Sequence, residues 1–342
     1  MSENIRAILY GVGEMGRLVT PMLIDKGVQI VGAVDVDVDK VGRDLGEVAE
    51  IGRELRVPIE SDAATVLSGR SADIVLMAVA SYMSDLYDHL ALCVEHGHNV
   101  VTIGEELLYS WTTSPVLTAR IDRLAKKRGV TVTGSGHQDS YWVNLVSLLM
   151  GTAHQVETVH GTASWNVDDY GSEVARDAHV GETEEEFNRF LEEEGWPPGF
   201  SRNAIEAIAA DVGLRVTHVE ERTTPLLAEQ DVRSKALGTT IPVGHVNGFV
   251  EEATLRTAEG ITLAFEMVGK IYSEGDADLN EWVVKGDPPE LRLSNFPVPT
   301  MRTTCTQFVN RIPDVVSAPP GYVTMQELPA LKYRAFPLHA YL

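Results

Sequence analysis

The chain holds only two cysteines, Cys93 and Cys305, among 342 residues. Two are too few for a disulfide framework and show no CxxC spacing, so a reducing compartment is the simpler expectation. Cations are scarce too: 28 Lys and Arg stand against 50 Asp and Glu, a formal net charge of -22. A field of that sign repels polyanions, which makes nucleic acid and anionic membrane poor partners. No apolar run is long enough to span a bilayer. The start, Met1-Ser2-Glu3-Asn4-Ile5-Arg6, lacks the charged and small-residue signature of a cleaved leader, so the cytoplasm is the expected location. There is no GxSxG elbow and no supported Cys/His pair for nucleophilic catalysis. Cys93, His96 and His98 lie close together, but the chain offers no second ligand pair, and no metal is expected.

What is present is the composition of an ordinary soluble globule, 44% hydrophobic and 23% charged, at a length that suits two compact units. The apolar run Ile5 to Tyr10 ends in Gly11-Val12-Gly13-Glu14-Met15-Gly16. A helical pattern carrying Leu18, Met22 and Leu23 follows, and Val28 to Val36 reads as a second buried strand. Strands at Ala72 to Ala80, Asn99 to Ile103 and Val130 to Gly134 then alternate with helices around Ala64 to Leu67, Ser84 to His96 and Ser114 to Arg128. This alternation predicts a parallel sheet with helices on both faces.

After about Gln138 the pattern changes to strands with alternating apolar and polar positions: Val156 to Val167, Val216 to Glu220, Val243 to Thr257 and Ile261 to Tyr272. They suit a largely antiparallel, one-sided sheet. Two helices interrupt it, the acidic Glu182 to Glu194 and Ser201 to Gly213, the latter with Ser201 as the expected N-cap. A further helix is expected at Thr300 to Asn310. The reading is an α/β protein with a dinucleotide-binding domain at 1–138, an α+β domain at 139–299 and a segment at 300–342 that returns to the first domain.

The glycine fingerprint follows a strand, opens a helix and has Asp35 about 20 residues downstream, the context a dinucleotide site requires. Gly11 allows the turn, Gly13 lets backbone approach a pyrophosphate, Gly16 allows close helix packing, and Glu14 and Met15 complete the loop. Asp35 would accept hydrogen bonds from a ribose, which favours NAD; Lys40 and Arg43 are near enough to offset its charge, which keeps NADP open. Ligands of doubly wound sheets lie beyond the carboxyl ends of the strands, where Thr102-Ile103-Gly104-Glu105-Glu106-Leu107 falls. Glu105 is the favoured functional carboxylate there, and Glu106 the one better explained by a helix dipole. The segment Gly134 to Trp142 brings His137 and aromatic residues to the domain junction, where they suit either a pocket or a hinge. His137 is the most tempting acid of the chain, although a lone loop histidine is more often structural. Trp165 and Tyr170 lie on a strand and its exit loop, where a core role is the usual one.

These marks, with Val34 to Asp37, Val41 to Gly46, Gly244 to Ala264 and Ile312 to Pro320, resemble the 2,4-diaminopentanoate dehydrogenase family, which includes native amine dehydrogenases. The resemblance implies a Rossmann domain and a substrate domain whose open sheet forms a homodimer. It places the family's essential carboxylate at Glu105 and its substrate pocket at Trp142, Trp165 and Tyr170, with His137 at a further wall position. The activity implied is NAD(P)-dependent reductive amination of small ketones and aldehydes with ammonia, and the reverse deamination. No Arg or Lys stands beside the pocket segments to meet a substrate carboxylate; Arg176 and Arg202 are the nearest. The alternatives are a 2,4-diaminopentanoate dehydrogenase proper, an imine reductase like dihydrodipicolinate reductase, and a non-enzymatic NAD-binding regulator.

Overall fold

The computed structural model describes residues 4–342 and divides into two compact units, one reaching to Ser140 and including Met301–Leu342, the other Tyr141–Thr300. The first unit begins β1 (Arg6–Tyr10), α1 (Glu14–Asp25), β2 (Gln29–Val34), α2 (Leu45–Val48), β3 (Ile59–Glu60) and α3 (Ala63–Gly69). It continues β4 (Ile74–Met77), α4 (Met83–Glu95), β5 (Asn99–Thr102), α5 (Pro115–Arg128) and β6 (Thr131–Gly134). The inner strands are buried on both faces: all four residues of β4 and of β6 are buried. Such strands read as continuous apolar runs instead of alternating ones. α5 starts with Pro115 at its first turn and stops at Gly129 in the left-handed region, the usual asymmetry of helix ends.

A π-helical segment, Asp139–Asn144, carries the chain from the first unit into the second, where α6 (Leu145–Met150) and β7 (Gln155–Asn166) follow. Then come α7 (Ser172–Asp177), α8 (Glu184–Glu193), α9 (Phe200–Asp211), β8 (Val216–Leu227), β9 (Val232–Arg233) and β10 (Thr240–Ile241). β11 (Val246–Thr257), β12 (Thr262–Lys270), β13 (Leu279–Asp287) and β14 (Leu291–Asn295) complete it. The first-turn glutamates of α8 are held by a capping box in which Thr183 and Glu186 exchange hydrogen bonds. Ser201 is not the N-cap of α9. The helix begins one residue earlier, and the Phe200 and Ser201 N–H groups are taken by the carboxylate of Glu251, a long-range acceptor that displaces the local one.

The chain closes with α10 (Thr300–Asn310), α11 (Ile312–Ser317) and β15 (Gly321–Tyr322). β15 pairs in parallel with β6, giving a seven-stranded sheet in the order β15-β6-β5-β4-β1-β2-β3. Every pairing in this sheet is parallel. The strand order reverses at β1 and β4, the switch point beside which a doubly wound fold binds nucleotides. The other sheet has the order β14-β13-β7-β12-β11-β8 and is antiparallel except between β7 and β12. Residues alternate along β12 between buried and half-buried, so one face is covered and the other open. Trp282 of β13 is fully buried and stacks on Phe265 of β12, with ring centroids 4.7 Å apart. Among the described residues, no helix is long and apolar enough to cross a membrane.

Candidate active site

Each strand of the parallel sheet releases its chain at the same edge, which collects the fingerprint after β1, Asp35 after β2, Ser81 after β4, Glu105 after β5 and His137 after β6. The fingerprint glycines divide by what surrounds them. A Cβ on Gly11, whose φ is +97°, would lie 2.3 Å from the Ala78 carbonyl oxygen, and one on Gly16 would lie 2.2 Å from that of Gly11. Both are glycine because the protein itself crowds them. Gly13 has no atom within 4 Å of where its Cβ would be, and no side chain caps the helix it opens. The open approach and the exposed N–H groups of α1 fit a phosphate-bearing ligand. Glu14 is exposed and 3.5 Å from Arg17, while Met15 leans on the core beneath the sheet.

Asp35 accepts the Val12 N–H at 2.8 Å and the Asp37 N–H at 2.9 Å, and so ties the end of β2 to the fingerprint loop. Its carboxylate keeps acceptor capacity beyond these. Lys40 lies 3.4 Å from Asp35 and 3.1 Å from Asp37, and Arg43 pairs with Glu47 at 2.8 Å. Both cations are therefore matched by carboxylates of their own neighbourhood.

The structure separates the two adjacent glutamates. After β5 the chain makes one 3-10 turn, Glu105–Leu108, which Gly104 lets lie close to Ala80: a Cβ there would meet the Ala80 oxygen at 2.9 Å. Glu106 is buried, its Oε2 accepting the Met83 N–H and its Oε1 the Thr113 hydroxyl, each at 2.6 Å. It serves the N-terminus of α4, not that of its own turn. Glu105 is half-buried, with a hydrogen bond from the Ser81 side chain, and removal from water pushes its carboxyl above the usual carboxylate range. A desolvated, lightly partnered carboxylate at a strand end is equipped to exchange a proton or to face a cation.

His137 is buried, with its Nδ1 3.0 Å from the Thr303 hydroxyl, and burial pulls its pKa down to about 3. The ring stays neutral at physiological pH, so it suits an uncharged wall and not the acid role its residue type suggests. Its loop is fixed by an ion pair invisible in the sequence. Arg311 and Asp139 are both fully buried, two guanidinium nitrogens meet the carboxylate at 2.8 and 2.6 Å, and Ser135 donates to the same carboxylate at 2.8 Å. Ser81 has a usable signal in the sequence, its place just after β4, the strand next to β5.

In the second unit Trp165 and Tyr170 meet edge to face, with centroids 5.2 Å apart. Trp142 is 7% exposed and packs edge to face on Phe265 at 5.5 Å, which is core packing. Of the two arginines considered for a substrate carboxylate, Arg202 is engaged by Glu206 at 3.1 Å and Glu221 at 2.7 Å. Arg176 is exposed on α7, with Ser172 as a neighbour. Cys93, His96 and His98 go separate ways: the Cys93 thiol is buried, His96 binds the Leu92 carbonyl, and His98 bridges those of Leu67 and Ala72. Among the described residues, no group of three His, Cys, Asp or Glu is placed to hold a metal.

A family model described as the 2,4-diaminopentanoate dehydrogenase C-terminal domain matches residues 142–335, and one for the dihydrodipicolinate reductase N-terminus matches residues 5–104. The 2,4-diaminopentanoate dehydrogenase of Acetoanaerobium sticklandii is 28% identical over 335 residues, 96% of this chain and 94% of that protein. The solved structure of an amine dehydrogenase from Mycobacterium smegmatis is 50% identical and superposes with a TM-score of 0.94 over 98% of each chain. The WlbA dehydrogenase from Bordetella pertussis, solved with NADH and UDP-GlcNAcA, shares the fold at 14% identity, with a TM-score of 0.54 over 86% of this chain and 75% of that one. The chain belongs to the 2,4-diaminopentanoate dehydrogenase family.

Proposed function

We propose that this chain is an NAD(P)-dependent amine dehydrogenase that aminates small ketones and aldehydes with ammonia and, in reverse, deaminates the corresponding amines. The observation that carries the reading is the desolvated Glu105 carboxylate, set at the same sheet edge as a glycine loop open to a phosphate ligand. The nicotinamide, when bound, supplies the hydride. Glu105 takes a proton from ammonium, so that neutral ammonia can attack the carbonyl carbon; burial suits the group to carry that proton. Glu105 passes that proton to the hydroxyl of the resulting carbinolamine, which leaves as water, and its re-ionised form then faces the cationic iminium, whose positive charge a carboxylate favours and a lysine would oppose. Ser81 orients the carboxylate through its hydrogen bond.

Asp35 is proposed as the ribose acceptor, with Gly11, Gly13, Glu14, Met15 and Gly16 forming the pyrophosphate loop. The pairing of Lys40 and Arg43 with carboxylates supports NAD over NADP, since neither is left to meet a 2'-phosphate. His137, Trp142, Trp165 and Tyr170 are proposed as substrate walls. The engagement of Arg202 supports unfunctionalised carbonyl substrates over 2-oxo acids, because an unpaired carboxylate costs several kcal/mol to bury, on the order of a fold-deciding penalty. The open face of the second sheet is proposed to form a homodimer, and the net charge and cysteine count support a cytoplasmic protein free of nucleic acid and membrane partners. The test is ammonium-dependent oxidation of NADH and NADPH with a panel of ketones and aldehydes. Cofactor binding without turnover on any of them would leave a nucleotide-binding regulator in place of the enzyme.

A further inference from the structure

Glu251 of β11 is 2% exposed, and its carboxylate receives three N–H groups: Trp196 Nε1 at 3.0 Å, Phe200 N at 3.0 Å and Ser201 N at 3.4 Å. One buried carboxylate thus holds both an indole and the first turn of α9. A cavity of about 240 Å³ lies beside it, lined in part by Trp196, Pro197, Pro198 and Thr223. The charged groups around Glu251 do not neutralise it. Glu221 of β8 accepts the Gly199 N–H at 3.0 Å, Arg202 of α9 is engaged by Glu206 and Glu221, and Arg222 and Glu252 line the cavity as chain neighbours of these acids. Burial pushes the Glu251 carboxyl up to about 7, further helped by Glu221, against the downward pull of its three donors.

The held indole is the start of an aromatic chain. Trp196 lies on Phe249 with centroids 4.9 Å apart, Phe249 meets Trp165 edge to face at 6.2 Å, and Trp165 meets Tyr170 at 5.2 Å. Phe249 and Glu251 are two residues apart on β11, hence on one face of the sheet. We infer that Glu251 is a positioning residue for the substrate wall: by fixing Trp196 it fixes, through Phe249, the Trp165–Tyr170 pair, and so sets which carbonyl compounds fit. This rests on the reading that Trp165 and Tyr170 bound the substrate. The ionised carboxylate accepts all three donors; once protonated it has a hydroxyl that donates and a weakened acceptor set, and the wall loosens. Discrimination between substrates therefore depends on pH.

The experiment is the ratio of kcat/KM for a short ketone to that for a longer branched one, measured well below and well above pH 7. Glu105 and ammonium titrate identically for both substrates, so their effects cancel in the ratio. In the wild type the ratio should rise by about threefold or more from the low to the high pH, a fraction of what one methylene is worth in a tight pocket. Glu251→Gln should flatten this dependence, with the KM for the branched ketone moving more than kcat for the short one. Trp196→Phe, which keeps the ring and removes the N–H, should flatten it too and stands in if Glu251→Gln does not fold. A wild-type ratio unmoved by pH, or a pH-dependent ratio retained in both variants, overturns the inference. Trp165→Phe at a fixed pH tells the two failures apart. If it leaves the ratio unchanged, the wall itself is misassigned; if it shifts the ratio while the Glu251 and Trp196 variants do not flatten it, only the role of Glu251 fails.

Discussion

Replacing Glu105 and Glu106 separately by Gln should produce opposite phenotypes, although the two residues are adjacent and chemically identical. Glu105→Gln removes the proton acceptor, and loss of a general base costs about 10²- to 10⁴-fold in turnover, or about 3 to 5 kcal/mol of barrier. NADH affinity, followed by fluorescence titration, should be retained. Stability should move the other way. The folded-state pKa of Glu105 is raised from an ordinary 4.5 by desolvation. The stability this proton affinity contributes is present below the ordinary value and lost as pH rises through the folded one. Above that window Glu105→Gln should be more resistant to urea than the wild type, and the gap should close on acidification. The wild-type amination rate should fall as pH drops through the same raised pKa, because the base must be ionised to accept from ammonium. Glu106 instead answers two donors at 2.6 Å. An amide can accept the Met83 N–H and donate its NH₂ to the Thr113 hydroxyl, so two charge-assisted bonds become weaker neutral ones at a cost of about 1 to 2 kcal/mol. Glu106→Gln should therefore lose stability while its folded fraction turns over normally. The assignment is wrong if Glu106→Gln abolishes turnover while Glu105→Gln keeps it, or if Glu105→Gln is the less stable of the two at every pH.

Asp35→Ser should weaken NADH binding and raise the NADPH to NADH ratio of kcat/KM, by about tenfold for the loss of one charged hydrogen-bond partner; an unchanged ratio would mean that Asp35 serves only Val12, Asp37 and Lys40. A small ketone should be aminated at least about tenfold better than the 2-oxo acid of similar length, since each methylene buried gains about 0.8 kcal/mol and an unpaired carboxylate loses more. A preference for the acid would point to Arg176 as the missing cation. His137→Asn should leave the inflections of the pH–rate profile where they are, because the wild-type ring, with a pKa near 3, does not titrate in the working range; a shifted inflection would restore it as an acid.

The parallel sheet was legible because its strands carry their own punctuation: runs such as Ile74 to Met77 are bounded by glycine or polar turns and separated by helical periods. The second sheet was read only in part. β13 escaped because Asn280, a polar residue, occupies one of its buried inward positions and breaks the apolar alternation that Trp282 and Val284 would otherwise continue. β14 is a short partner in which Leu291 and Leu293 alternate with polar residues over only five positions, too few to stand out. The parallel pairing of β7 with β12 also had no sequence signal, since both strands alternate as antiparallel ones do. At the site, strand-end position was enough to bring out Glu105, Asp35 and the fingerprint. It favoured Glu105 over Glu106 but assigned Glu106 to the dipole of its own turn, because its actual donors, Met83 and Thr113, lie 23 and 7 residues away. It left His137 between an acid and a structural role, because that choice depends on solvent access and not on residue type.

Three glutamates, two buried and one half-buried, show how the fold, not the residue, decides the surroundings of a carboxylate. Glu106 and Glu251 are each met by donors from distant segments, two at 2.6 Å in one case and three N–H groups in the other. Those bonds replace the lost hydration, and they also tie the oxygens to the scaffold. Burial still pushes Glu251 up to about 7, with Glu221 adding to the rise against the pull of its three donors. Glu105 has the Ser81 side chain and its own backbone N–H in place of such a set. A carboxylate offers about four acceptor sites, so Glu105 keeps room for a donor that comes from outside the chain. On the proposed reading an ammonium ion matches that deficit: it would supply several N–H groups and the positive charge that the site of Glu105 lacks, and in meeting the carboxylate it would deliver the proton whose loss makes it a nucleophile.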